Sequence, residues 1–313
     1  MFAKRLTLAG AVAAVAATVG IVTATSSEAQ LSGLIQIDGS STVFPVSQKM
    51  ADNFVDDNPS IDITVGVSGT GGGFRKFCSG ETDISNASRP IKDSEMEACA
   101  SPVDADGNAK PVVDYIELRV GTDALTVVVS NENDFLDNIT TEQLNTLWSP
   151  DAEGTITRWN QVDEDWPNRP IRLFGPGTDS GTFDFFTEEI NGEGGASRAD
   201  YTASEDDNIL VLGVSRDPFA LGYFGLSYYL ANDDALKALS IDGVPPTPET
   251  AKSGDYSLAR PLFIYVSTAA LDKPEVAAFV EYYLETARDT NAITEVGYVP
   301  LTEDAYNEAL DLL

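Results

Sequence analysis

Short apolar runs rich in β-branched residues alternate along the chain with apolar residues at helical spacing. Residues 34–38 predict a strand, and apolar side chains recurring between Val46 and Phe54 predict one face of a helix. The same order returns at 61–67, which is followed by Phe74 and Phe77. Strand followed by helix, repeated, predicts an α/β fold with largely parallel sheets.

The second half of the chain continues this alternation. Strands are predicted at 125-LTVVVS-130, 171-IRLF-174 and 260-RPLFIYVS-267, and a helix at 140-TTEQLNTLW-148. A longer amphipathic helix is predicted from Pro274 to about residue 289, because its apolar residues fall on one face and proline suits a first helical turn. The chain beyond the N-terminus is long enough to predict two lobes.

The N-terminus carries Lys4 and Arg5 ahead of an apolar, alanine-rich run that ends in Ser27-Glu28-Ala29. This order is typical of a secretory signal peptide, here residues 1–29 with cleavage after Ala29. A retained membrane anchor is the alternative. Cleavage predicts a protein that is soluble in the periplasm or outside the cell.

The chain is strongly acidic, with 50 Asp and Glu against 19 Lys and Arg and a formal net charge of −31. Such a surface repels nucleic acid and anionic membranes, so neither is an expected partner. It also repels small anions at long range. An anion site in this chain therefore has to work through local backbone and hydroxyl dipoles.

The chain contains no histidine, which excludes a Ser–His–Asp mechanism and leaves too few soft ligands for a metal site. We therefore expect no catalytic residues, no metal and no cofactor. Its two cysteines, Cys78 and Cys99, are predicted to form one disulfide in an oxidising compartment.

Three segments place a Gly, Ser and Thr turn between a predicted strand and a predicted helix: 38-DGSSTVFP-45, 66-GVSGTGGGF-74 and 175-GPGTDSGTF-183. Taken singly, each is an ordinary capped helix start. Together, their free N–H groups and close-approach glycines predict an anion site without net positive charge. A nucleotide site is disfavoured, because no G-x-x-x-x-G-K-[ST] is present and 69-GTGGG-73 does not match G-x-G-x-x-G.

Two charged residues near these turns bear on the kind of anion. Arg89 precedes Pro90 in a segment of small residues, and could present its guanidinium to a bound anion. Asp179 would repel a fully ionised anion but could accept the proton of hydrogen phosphate, which sulfate does not carry.

The motifs DGSSTV, VGVSGTGGGF and ISNASRPI, together with the TDSGT turn, resemble the periplasmic substrate-binding protein of the phosphate ABC transporter, in its cyanobacterial-like form. The resemblance extends over essentially the whole chain after the signal peptide. It implies a type II periplasmic-binding fold of two α/β lobes, 30–120 plus 259–313 and 121–258, with crossings near 120–122 and 259–260. It also implies a phosphate site in the cleft between the lobes.

The resemblance further implies which residues contact phosphate: Ser41, Thr42, Ser68, Gly69, Thr70, Ser180, Gly181 and Thr182. This chain departs from the enterobacterial form at two positions, where it has Arg89 in place of an acidic ligand and Pro176 in place of an arginine. We infer that the charged roles have exchanged lobes, with Arg89 supplying the cation and Asp179 the proton acceptor.

The function implied is that of a monomeric phosphate receptor that delivers its ligand to a membrane permease. A secreted phosphatase or phosphoesterase is the alternative from another class, although the absence of histidine argues against it. A receptor of the same fold for sulfate, molybdate or tungstate is a further alternative.

Overall fold

The strands that the sequence pattern predicts are present in the computed structural model, which describes residues 31–313. The signal-peptide prediction concerns residues 1–29, which lie outside this range. The strands of residues 31–313 are β1 (Gly33–Gly39), β2 (Ile61–Val65), β3 (Ile84–Ala87), β4 (Tyr115–Ala124), β5 (Thr126–Ser130), β6 (Asn138–Ile139), β7 (Arg172–Gly175), β8 (Thr202–Ala203), β9 (Ala220–Phe224), β10 (Leu236–Ala238), β11 (Ser240–Ile241) and β12 (Ala259–Ser267).

The helices separate the strands along most of the chain. Within residues 31–313 they are α1 (Phe44–Asp57), α2 (Gly69–Ser79), α3 (Asp93–Ala100), α4 (Thr141–Trp148), α5 (Gly181–Asn191), α6 (Asp207–Ser215), α7 (Leu226–Leu230), α8 (Pro248–Ser253), α9 (Thr268–Leu271), α10 (Pro274–Asp289), α11 (Ala292–Glu295) and α12 (Glu303–Leu310). Short 3-10 helices lie at Pro150–Ala152 and Trp159–Gln161. No helix in the described part of the chain is long and apolar enough to cross a membrane.

Two five-stranded sheets form the framework. The first has the strand order β2-β1-β3-β12-β4 and the second β10-β5-β9-β7-β8, while β11 and β6 form a small separate pair. In the first sheet β1 runs parallel to β2 and β3, whereas β12 runs antiparallel to both β3 and β4. In the second sheet β7 is parallel to β8 and β9, whereas β5 is antiparallel to β9 and β10. Both sheets are therefore mixed rather than largely parallel.

The antiparallel pair β4 and β12 carries the chain between the two sheets. A single residue, Leu125, separates the end of β4 from the start of β5 in the second sheet, and β12 brings the chain back into the first sheet. Asp123 and Arg260 face each other near the ends of this pair. The residue ranges of the two lobes stay a prediction, since residues 31–313 form one compact unit.

The amphipathic helix α10 has the bounds that the sequence predicts, beginning at Pro274. Its apolar face is buried, and the ring of Phe279 lies 5.4 Å from that of Phe54 on α1. Each buried side chain of this size contributes roughly 1.5–3 kcal/mol to stability. The predicted disulfide between Cys78 and Cys99 is confirmed, and it joins the end of α2 to α3.

Candidate functional site

Buried hydroxyl groups from four separate segments form two contacting pairs. The Thr42 Oγ1 atom lies 3.0 Å from Thr182 Oγ1, and Thr70 Oγ1 lies 3.3 Å from Ser88 Oγ. All four side chains are at most 1% exposed. Each follows or begins an element: Thr42 follows β1, Ser88 follows β3, and Thr70 and Thr182 lie in the first turns of α2 and α5. The strand-to-helix turns predicted as an anion site therefore do converge.

Gly181 brings the two pairs of hydroxyls to one place. A Cβ atom at this position would lie 2.5 Å from Thr70 Oγ1 and 2.7 Å from Ser88 Oγ, too close for any side chain. The N-terminus of α5 consequently packs directly against the first turn of α2 and the segment after β3. Helix N-termini present free N–H groups, so this junction combines hydroxyl donors with backbone donors.

A similar close approach occurs at the start of α2. Gly69 has a φ of +75°, and a Cβ there would lie 2.6 Å from the carbonyl oxygen of Asp179. The Gly71 N–H donates to that same carbonyl at 2.7 Å. Glycine is therefore required at position 69, both because φ is positive there and because a side chain would collide with the carbonyl of Asp179.

The three turns differ in how their hydroxyls are used. Ser180 caps α5, because its Oγ accepts a hydrogen bond from the Thr182 N–H at 3.0 Å. Ser68 precedes α2 but does not cap it, and its hydroxyl donates to the carboxylate of Asp38 instead. Helix α1 begins after Val43 with no side-chain cap. The Thr42 hydroxyl is therefore not used to cap α1 and instead contacts Thr182.

Arg260 is a cation in direct contact with this hydroxyl cluster. Its guanidinium forms an ion pair with Asp123 at 2.9 Å, and its Nη2 atom donates to Thr42 Oγ1 at 3.0 Å. Both charged side chains are completely buried. The third nitrogen, Nη1, is buried and has no hydrogen-bond partner among the described residues. A buried donor without a partner is costly, so this nitrogen is available to donate to a bound ligand or an ordered water.

Asp123 fixes the orientation of this arginine. One carboxylate oxygen accepts from both Nε and Nη2 of Arg260, at 3.1 and 2.9 Å. The other accepts from the backbone N–H of Leu226, in the first turn of α7, at 3.0 Å. Burial raises the pKa of Asp123, but Arg260 and the Leu226 N–H act against that shift. This ion pair orients the guanidinium of Arg260 so that Nη2 reaches the hydroxyl of Thr42.

Asp207 is a buried carboxyl group near the first of these turns. It begins α6 and is 1% exposed, and the Ser41 side chain is its hydrogen-bonding neighbour, although among residues 31–313 no hydrogen bond of standard geometry reaches either carboxylate oxygen. Burial raises its pKa to about 7, whereas the side chains of Ser41 and Arg260 act in the opposite direction. A buried carboxyl group in this state is characteristic of functional sites.

The two charged residues predicted from sequence to contact the anion are engaged elsewhere in this structure. Arg89 donates to Asp184 at 2.7 Å and to both oxygens of Glu95 at 2.7 and 2.8 Å. Asp179 accepts two hydrogen bonds from Arg75, at 2.8 and 2.6 Å, and this pairing lowers its pKa. Their roles as cation and proton acceptor stay a prediction, one that these pairings do not favour.

Sequence reasoning did not assign a ligand role to four residues of this site: Ser88, Asp123, Asp207 and Arg260. A signal existed for two of them. Asp123 lies just before the apolar run 125-LTVVVS-130 and Arg260 begins the run 260-RPLFIYVS-267, and charges that adjoin buried strands tend to be paired. Asp207 follows two other acidic residues, so nothing in the sequence distinguishes it from a solvated charge.

The described residues contain no group of three or more His, Cys, Asp or Glu side chains that could hold a metal ion. What the site does contain is hydroxyl donors, helix N-termini and one buried guanidinium. These are the groups that bind small oxyanions.

Comparison with known proteins gives consistent matches over most of the chain. A family model described as a PBP superfamily domain matches residues 14–286. Protein SphX of Synechocystis sp. is 48% identical over 284 residues, covering 89% of this chain and 81% of SphX. Phosphate-binding protein PstS of Staphylococcus saprophyticus is 37% identical over 282 residues, covering 88% and 83%. Among solved structures, a possible phosphate binding protein from Planctomyces limnophilus has a TM-score of 0.62 and 44% identity, covering 90% of this chain and 97% of that one.

Proposed function

Because this chain belongs to the PBP superfamily, in the family of its relatives SphX and PstS, we propose that it binds inorganic phosphate and delivers it to a membrane permease of the ABC type. The two mixed α/β sheets fit the type II periplasmic-binding fold. The phosphate site lies at the junction of the strand-to-helix turns, between the two sheets.

The observation that carries this proposal is the unpartnered Nη1 of Arg260 beside the paired hydroxyls of Thr42 and Thr182. A tetrahedral oxyanion accepts hydrogen bonds in several directions at once, and this junction offers donors from both sheets. Charge-assisted hydrogen bonds to phosphate are about twice as strong as neutral ones. One buried cation with several dipoles therefore suffices, although the chain as a whole carries a net charge of −31.

We assign the phosphate contacts to the residues that surround this junction. Hydroxyl and backbone donors come from the first strand turn, the start of α2, the segment after β3 and the start of α5, and Arg260 supplies the cation. The proposed contacts are Ser41, Thr42, Thr70, Ser88, Ser180, Gly181, Thr182 and Arg260.

The two sheets are the cores of two lobes in this proposal, with the ranges expected from sequence, 30–120 plus 259–313 and 121–258. The paired strands β4 and β12 then form the connection, and phosphate would bind where the lobes meet. The Arg75–Asp179 ion pair would then join one lobe to the other. Release to the permease requires this contact to open.

A receptor accounts for the composition better than an enzyme does. The chain has no histidine to act as a general base, and the described residues offer no metal-binding cluster. Its place of action would be the periplasm, after removal of residues 1–29. The receptor would act as a monomer without a cofactor.

Isothermal titration of the phosphate-stripped mature protein tests the proposal. Micromolar or tighter binding of phosphate near neutral pH, with one site per chain, is the expected result. The same preparation is assayed for hydrolysis of p-nitrophenyl phosphate, for which we expect no turnover. Absence of binding heat with a folded protein would overturn the receptor, and steady hydrolysis would favour the phosphatase.

A further inference from the structure

Both proposed lobes carry a large excess of negative charge. Residues 30–120 plus 259–313 contain 10 Lys and Arg against 24 Asp and Glu, and residues 121–258 contain 7 against 25. Like charges repel, so bringing the lobes together over a bound anion costs electrostatic free energy. Contacts between opposite charges where the lobes meet would offset this repulsion.

Asp184, in the first turn of α5, contacts two cations of the other lobe. Arg89 Nε lies 2.7 Å and Lys92 Nζ 2.8 Å from the same carboxylate oxygen of Asp184. The side chains of Arg89 and Asp184 are each 10% exposed. Glu95, which belongs to the same lobe as Arg89, accepts hydrogen bonds from the other two nitrogens of Arg89 at 2.7 and 2.8 Å. The two cations and two acids therefore form a neutral cluster that is complete only when the lobes are together.

A second, more exposed contact joins the same two lobes. Arg75 of α2 donates to both oxygens of Asp179, which lies just before α5, at 2.8 and 2.6 Å. Their side chains are 66% and 39% exposed. In this contact, as in the Asp184 cluster, the cations belong to one lobe and the acid to the other. The two contacts lie on either side, in sequence, of the first residues of α5, which carry proposed phosphate donors.

The contacts near the crossing strands are of a different kind. Tyr228 of α7 donates to the Ser41 carbonyl at 3.0 Å, and the hydroxyls of Ser227 and Tyr298 lie 2.7 Å apart. These groups are uncharged, and α7 is itself bound to β4 through Asp123. Lobes that separate by rotation about β4 and β12 would therefore open at α5, where the ion pairs lie, while the contacts beside the crossing persist.

We propose that Asp184, with Arg89 and Lys92, and the Arg75–Asp179 pair form an ionic clasp that holds the lobes closed over phosphate and sets the rate at which phosphate leaves. The inference rests on the proposed function for its ligand. The clasp is complete only after the anion has entered and the lobes have closed. Weakening it should therefore speed release more than it changes association.

The release rate of phosphate from the mature protein tests the clasp. Protein loaded with radiolabelled phosphate is mixed with an excess of unlabelled phosphate, and rapid filtration follows the loss of label. Asp184→Asn should speed release about three- to ten-fold. It leaves no buried cation unpaired, because Glu95 still binds Arg89. Lys92→Met changes a side chain that is 49% exposed, so the protein should fold normally and release phosphate up to about five-fold faster.

Asp83→Asn is the matched control. Asp83 pairs with Lys273 within one lobe at 2.8 Å, and their side chains are 10% and 48% exposed, close to the 10% and 49% of the Asp184–Lys92 pair. This variant removes a similar ion pair that does not join the lobes, so it should keep the wild-type release rate. An equal acceleration in Asp83→Asn would overturn the clasp, because the effect would then follow from a general loss of stability.

Small-angle X-ray scattering of the phosphate-stripped proteins gives a second measurement that needs no ligand. Asp184→Asn should have a larger radius of gyration than the wild type, whereas Asp83→Asn should not. Wild-type release rates in both Asp184→Asn and Lys92→Met, in proteins that bind phosphate, overturn the clasp alone. Failure of the wild type to bind phosphate overturns the proposed function, and an unchanged radius of gyration in Asp184→Asn would then overturn the clasp as well.

Discussion

Replacing Arg260 by methionine should abolish most phosphate affinity and also destabilise the fold. The substitution removes the guanidinium but keeps an unbranched side chain that can fill the same buried space. It leaves the Asp123 carboxylate fully buried without its cation, held only by backbone donors such as the Leu226 N–H. The two effects have different causes and can be measured separately.

The stability loss follows from the unpaired charge. Removing one partner of a buried ion pair costs about 3–5 kcal/mol, a large fraction of the roughly 5–15 kcal/mol that stabilises a folded protein. Removing both charges avoids this cost. We therefore expect the double variant Asp123→Asn/Arg260→Met to unfold at a urea concentration close to that of the wild type.

The affinity loss follows from the missing donor. A hydrogen bond to a charged group contributes about 1.5–3 kcal/mol, which corresponds to a roughly ten- to hundred-fold change in Kd. The single variant should lose more than this, because the uncompensated Asp123 charge repels the anion. The double variant removes that repulsion but not the missing cation, so its affinity should recover only in part.

Urea unfolding and phosphate titration on the same preparations provide the measurements. Arg119→Met is the matched control, since Arg119 is an exposed arginine on β4, the strand that pairs with β12, and neither quantity should change. A double variant that folds and binds phosphate with wild-type affinity would refute Arg260 as the cation of the site.

Three further outcomes are expected. Thr182→Val removes one hydroxyl of the Thr42 pair without changing the shape of the side chain, and phosphate Kd should rise about three- to ten-fold by titration calorimetry; an unchanged Kd would exclude that hydroxyl from the contacts. Replacing Cys78 and Cys99 by serine should lower the free energy of unfolding by about 3 kcal/mol in urea titrations, with phosphate affinity of the folded protein retained. Arg89→Ala should lower stability, because Asp184 and Glu95 lose their cation, while changing phosphate Kd by less than ten-fold; loss of phosphate affinity at full stability would return Arg89 to the ligand set.

The parts of the fold that sequence predicts correctly are those with strong local signals. Helix α10 has an unbroken apolar face and proline in its first turn, and α4 begins with a Thr140 capping box. The relative direction of the strands, by contrast, is not predicted correctly from sequence. Whether β12 runs parallel or antiparallel to β3 depends on where the chain re-enters the first sheet, and no local pattern encodes that.

Some residues of the candidate site can likewise be identified from sequence, and others cannot. Turns containing Thr42, Thr70 and Thr182 are visible because glycine and hydroxyl residues cluster between strand and helix patterns. The sequence does not show which arginine serves as the cation. Arg89 precedes a proline in a loop and Arg260 lies near the start of a strand, and neither pattern favours one over the other as a ligand. Only tertiary packing distinguishes Arg89, surrounded by carboxylates, from Arg260, which keeps one nitrogen without a partner.

The acidic surface and the anion site are compatible because they act over different distances. Repulsion from surface carboxylates is screened beyond about 8 Å at physiological ionic strength, whereas hydrogen bonds inside the site act over about 3 Å in a poorly screened interior. Positive charge is also not accumulated there, since Asp123 neutralises Arg260 before any ligand enters. The Asp123–Arg260 pair has no net charge, and Arg260 Nη1 has no hydrogen-bond partner among the described residues. Such a pair favours an anion through the orientation of this donor rather than through net charge.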